Sequence, residues 1–158
     1  MRTPASIRGH PIHPMLVTVP IGLWVFSLVC DLIALRSVHP EVFFVCALYT
    51  MIGGILGALL AALFGVVDLL FLREPRVRRL ALTHMGVNLA VVALYVLNLW
   101  VRISDPTGPG LPLALSIAGV ALLAIAGWLG GALVHVHGVS VDTKQAERTD
   151  AGQAASSR

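Results

Sequence analysis

Charge is scarce in this chain. Only 12% of its 158 residues are Asp, Glu, Lys or Arg, where a soluble domain carries about 25%. With 57% hydrophobic residues and a mean hydropathy of +0.87, that deficit excludes a water-soluble globular domain. Cysteine is nearly missing too. Cys30 and Cys46 stand alone at similar depths of the first two apolar runs, and two small buried hydrophobes are expected there rather than a disulfide. No nucleophile–base pair, phosphate loop or zinc-protease motif is present, which leaves hydrolytic chemistry without support. The net charge of +3 does not mark a nucleic-acid binder, because the positive residues fall between apolar runs.

What is present is apolar sequence long enough to cross a bilayer, which takes about 20 residues per helix. Four segments qualify: 15–35, 42–72, 80–102 and 113–136. The second exceeds the need and should tilt or project. Short linkers, the last one rich in Pro and Gly over 104–110, favour antiparallel neighbours. The expected fold is all-α: an integral membrane four-helix bundle running up-down-up-down. Residues 1–14 form a cytoplasmic cap, 15–138 the bundle, and 139–158 a polar tail expected to be disordered. The first span is too long for a signal-peptide core and lacks a cleavage site, so a retained span is expected. Arg2, Arg8, Arg73, Arg76, Arg78, Arg79, Lys144, Arg148 and Arg158 fall on one side, and only Arg36 and Arg102 on the other. That asymmetry places both termini in the cytoplasm.

Polar residues inside the spans are the candidates for function. At about 100° per residue, His84, Asn88, Val91, Tyr95, Asn98 and Arg102 share one face of the third span. Interhelical hydrogen bonding explains that stripe as well as a functional site does. Small residues recur every fourth position in the second span at Gly53, Gly57, Ala61 and Gly65, a ridge that allows close approach. Asp68 continues it, pointing inward or pairing with a loop arginine such as Arg76. His10 and His13 lie in Gly9-His10-Pro11-Ile12-His13-Pro14, where each proline biases the preceding histidine toward extended backbone, ahead of a helix starting near Met15. In the fourth span His137, ahead of a Gly138 cap, is preferred over His135 as an inward group. Asp68, His84, His13 and His137 all fall near the inner leaflet. Asp31 sits near Arg102 and Asn98 in the outer half, and a structural Asp31–Arg102 or Asp31–Asn98 pair is expected. His39 reads as a loop residue.

GHPIHPMLVTVPIGLWVFSLVCDL, FGVVDLL, LALTHMGVNLA and GGALVHVHGVSVD together resemble the bacterial predicted membrane proteins grouped as domain of unknown function 2231, over about residues 8–142. The resemblance implies a four-span domain in a bacterial cell membrane. Some relatives join this domain to a Rieske iron–sulfur domain, which hints at redox. No Rieske ligand set exists here, since no Cys-x-His pair occurs.

Three functions follow as alternatives. The first is a redox protein holding haem b or a transition metal, with His84 as first ligand, His13 or His137 opposite, and His10 as an accessory. Asp68 and Asn88 would then orient imidazoles, and glycines of the second and fourth spans would make room for a porphyrin face. The second is a small proton- or solute-handling transporter using the stripe from His84 through Tyr95 and Asn98 to Arg102. No internal repeat is evident, so it would act as a homo-oligomer. The third is a membrane scaffold whose arginine loop docks a protein partner or anionic lipid. Each has the lipid bilayer as surroundings, and none involves nucleic acid.

Overall fold

The computed structural model describes residues 5–7, 10–104 and 110–139. Two short strands, β1 (Ser6–Ile7) and β2 (His10–Pro11), pair antiparallel with Ile7 opposite His10. The helices are α1 (Ile12–Leu16), α2 (Thr18–Ala34), α3 (Pro40–Leu70), α4 (Pro75–Ser104) and α5 (Gly110–His135). Four of them are long and apolar enough to cross a membrane, counting Ile12–Ala34 as one span.

Proline explains most of these boundaries. Pro40 and Pro75 open their helices, where a missing amide hydrogen costs nothing. Pro20 cannot bond the Leu16 carbonyl and crowds it, and the first span is interrupted nearby at Val17. Pro14 acts differently from expectation. His10 is extended in β2, whereas His13 is helical. Pro14 lies in the first turn of α1, where amides lack intrahelical partners anyway, so it does not prevent helix at His13. At the far end Gly138 takes φ 59°, the left-handed conformation that favours glycine. The amides of Gly138 and Val139 reach back to the Val134 and Leu133 carbonyls at 3.1 and 3.0 Å.

The helices form two hairpins, α1/α2 with α3 and α4 with α5, related by an approximate two-fold axis along the bundle. Residues 13 and 84, 24 and 95, 27 and 98, and 31 and 102 all differ by 71. Their partners 61 and 126, 54 and 119, and 47 and 112 all differ by 65. His13 and His84 bond the Ala61 and Ala126 carbonyls. Trp24 and Tyr95 rest on Gly54 and Gly119. Ser27 and Asn98 bond the Ala47 and Pro112 carbonyls. This corrects the expectation of a chain without an internal repeat. The equivalent side chains differ at most levels, so the repeat lives in contacts rather than in identities. Both hairpins start on the same side, as in parallel membrane repeats.

The core lies on that axis. Trp24 and Tyr95 stack with ring centres 4.3 Å apart and planes 4° apart, surrounded by Met51, Ile55, Val91 and Leu123. Outward-facing Leu56, Leu63, Leu89 and Trp128 are exposed, as befits helices solvated by lipid. A Cβ on Gly54 would collide with the Trp24 indole nitrogen, and one on Gly119 would lie 2.7 Å from Tyr95. Gly54→Ala and Gly119→Ala should therefore each cost about 1–3 kcal/mol by overpacking. Gly22→Ala and Gly86→Ala, where a Cβ meets nothing within 4 Å, should be neutral or mildly stabilising. Unfolding of the four variants in detergent checks the contrast.

A second apolar cluster of Leu72, Val77, Ala81, Leu133 and Val139 ties the α3–α4 linker to the end of α5. Within that linker Glu74 Oε2 accepts the Val77 amide at 2.6 Å. The backbone amides of Val77 and Arg76 hold its carboxyl below the usual range. The stabilisation is fully present above the ordinary carboxylate pKa and lost as pH falls through the lowered value. Glu74→Gln should flatten the acid limb of a melting temperature–pH profile.

Candidate functional site

Two imidazoles meet on the axis near the end of the bundle that carries the first residues of α1 and α4. His13 projects from α1 and His84 from the third turn of α4, with ring centres 6.4 Å apart and planes at 84°. The Nδ1 of His13 lies 2.8 Å from the Ala61 carbonyl oxygen, and that of His84 lies 3.0 Å from Ala126. A carbonyl only accepts, so each Nδ1 carries the hydrogen and each Nε2 keeps its lone pair. Each ring also presses on a glycine: a Cβ on Gly65 or Gly130 would stand 3.0 Å from Cε1 of His13 or His84. Tautomer and orientation are thus set by the neighbouring helix of the same hairpin. The Asn88 amide nitrogen bonds the His84 carbonyl at 2.8 Å and lies 3.2 Å from its Nε2. Val17 occupies the equivalent position beside His13, so this contact is made in one half alone.

The other expected histidines stand apart. His10 is exposed, its backbone engaged in β2. His137 is exposed beyond the end of α5. The turn at Gly138 brings Val139 back onto Leu133 and leaves His137 outside it. His137 therefore does not face His84, a correction to its choice as a ligand. His135 bonds the Gly131 carbonyl and is exposed too. Asp68 is 7% exposed, one turn beyond Gly65 on α3. The glycines also serve otherwise than expected: Gly54, Gly65, Gly119 and Gly130 seat the protein's own rings, and Gly57 packs on Val19 and Pro20. Among the described residues, no three His, Cys, Asp or Glu side chains converge as a metal site.

The stripe on α4 turns wholly inward, and its far half belongs to a separate buried network. Arg102 makes a two-pronged contact with Asp31, at 2.8 and 2.6 Å. Their side chains are 8% and 4% exposed. Ser116 donates to Asp31 at 2.8 Å, and Asn98 donates to Ser116 while accepting from the Arg102 Nε, each at 3.0 Å. Ser116 and the Trp24–Tyr95 stack were not anticipated. The signal for the stack was available: a histidine, an aromatic eleven residues on, then a polar and a charged residue, occurs twice. Cys30 and Cys46 are free thiols, and His39 is an exposed linker residue beside Glu41 at 3.3 Å.

Residues 9–143 match the profile of a family described as Predicted membrane protein (DUF2231). The chain belongs to this family. The matched stretch of the DUF2231 protein contains all four apolar helices, the histidine pair and the Asp31–Arg102 network. It is a multi-pass integral membrane protein with an all-α four-helix bundle. No curated protein and no solved structure matches it.

Proposed function

We propose that this DUF2231 protein binds b-type haem in the membrane, which His13 and His84 would hold, and serves in one-electron transfer. The observation that carries this reading is the paired geometry: equivalent imidazoles from the two halves, each tied through Nδ1 to a carbonyl so that Nε2 is the atom with the lone pair, which at His84 a bound metal would take over from the Asn88 amide 3.2 Å away. That is the arrangement a metal-bound histidine adopts, because the carbonyl fixes the ring and raises its basicity. Two donors alone do not satisfy a free transition-metal ion, which takes four to six ligands. They do satisfy an iron whose other positions are filled by a macrocycle. The two ring centres stand 6.4 Å apart, close enough for a single bound group to meet both imidazoles.

Haem would supply the reversible Fe(III)/Fe(II) couple. The chain would supply orientation through Ala61, Ala126, Gly65 and Gly130, and surroundings of low dielectric. The engaged state of Asn98, Arg102 and Ser116 supports a packing role for that half of the stripe rather than a water path. The arginine asymmetry supports a bacterial inner-membrane placement with both termini inside.

The test is an absorption spectrum with iron analysis on full-length protein purified in detergent from haem-replete cells. A Soret band, a sharp α-band on reduction and one haem per chain are expected. A colourless, iron-free preparation that stays so after incubation with hemin would overturn the proposal.

A further inference from the structure

We propose that Arg73, Arg76, Arg78 and Arg79 form a binding site for the phosphate of anionic phospholipid headgroups. All four are exposed and fall within seven consecutive residues at one end of the bundle. The one acid among them, Glu74, accepts its hydrogen bonds from the backbone amides of Val77 and Arg76, and of the four guanidiniums only that of Arg76 feels its charge. Among the described residues, none of the four guanidiniums has a carboxylate within ion-pair distance. Three of them lie in the opening turns of α4, where the helix dipole adds further positive potential. Arg76 and Arg79, three residues apart, are also neighbours of like charge. Such a cluster is stabilised by an anion from outside the chain.

Three features say what kind of anion. Guanidinium forks match phosphate oxygens in pairs. The linker is not loose, because Leu72 and Val77 are buried against Leu133 and Val139, so the backbone that carries the arginines is held in place. Leu70 and Phe71, just before them, are 72% and 59% exposed. Apolar side chains beside a cluster of arginines at the end of a spanning helix match the boundary between acyl chains and headgroups. An acidic soluble protein would meet the arginines but leave Leu70 and Phe71 unsatisfied.

The test uses full-length protein in neutral detergent, titrated with phosphatidylglycerol or phosphatidylcholine, reading retained lipid by native mass spectrometry and melting temperature. Phosphatidylglycerol should be retained about tenfold or more over phosphatidylcholine, and should raise the melting temperature in a manner that fades with salt. Replacing all four arginines by Gln should abolish the preference, replacing all four by Lys should retain part of it, and Arg36→Gln at the other end should leave it intact. Equal retention of the two lipids would overturn the proposal, as would a preference that survives in the Gln variant. If inorganic phosphate alone reproduces the stabilisation, the source is a soluble phosphate and the lipid assignment is wrong. The four-Lys variant guards against a Gln variant that fails to fold.

Discussion

Arg102→Met should destabilise the domain by about 3–5 kcal/mol, because it leaves the Asp31 carboxylate buried without its counter-charge. Asp31 is held by both terminal guanidinium nitrogens of Arg102 and by the Ser116 hydroxyl, and neither charged side chain has more than 8% exposure. The loss should be much smaller in Asp31→Leu/Arg102→Met. Replacing a buried pair by apolar side chains is often neutral or even stabilising by about 1–4 kcal/mol. The pair is thus weak evidence for stability and better evidence for specificity. Two copies of one hairpin placed about the axis would set Asp31 against Asp31, or Arg102 against Arg102. Opposite charges at equivalent positions favour the pairing of unlike halves. The exchange Asp31→Arg/Arg102→Asp keeps one charge of each sign across the axis and should recover most of what Arg102→Met loses. Unfolding of the four proteins in mixed micelles decides it. A full loss in the exchanged variant would show that Ser116 and Asn98, which sit in one half alone, matter more than the symmetry.

His84→Ala should remove the bound haem, and so should His13→Ala. Losing a group that merely orients a ligand weakens metal binding by about 10–100-fold, so losing a ligand itself should exceed about 100-fold. Both variants are expected to lose the low-spin spectrum at haem concentrations that saturate the parent. His39→Ala and His137→Ala should bind as the parent does, since both residues are exposed and neither faces the pair. Gly130→Leu offers a subtler check, because its side chain would drive the His84 ring off the Ala126 carbonyl. A His84→Ala protein that keeps the parental spectrum would remove His84 from the proposed haem site.

Much of the bundle was readable beforehand. Apolar run length announced four spans, because a bilayer core demands a minimum length and forbids unpaired backbone. Helical periodicity put His84, Asn88, Tyr95, Asn98 and Arg102 on one face, and that face is the interior one. The Gly53–Gly65 ridge receives the first span as its small side chains require. The errors came where two local preferences competed. Pro14 biases the residue before it toward extended backbone, yet the same proline is welcome in a first helical turn, and His13 follows the second rule. The left-handed cap expected at Gly138 does form, but it leaves His137 exposed beyond the end of the helix rather than turned inward.

The amino-acid order by itself determined how many times this chain crosses the bilayer and which face of α4 is buried, because both depend on spacing along one helix. Only the tertiary structure decided that the two hairpins are equivalent, that His13 faces His84, and that Trp24 covers Tyr95. Those pairings join residues 71 apart, and periodicity within a helix carries no information on which helix lies opposite. Close packing at the seats on Gly54, Gly65, Gly119 and Gly130, with one pair of opposite charges across the axis, settles that choice.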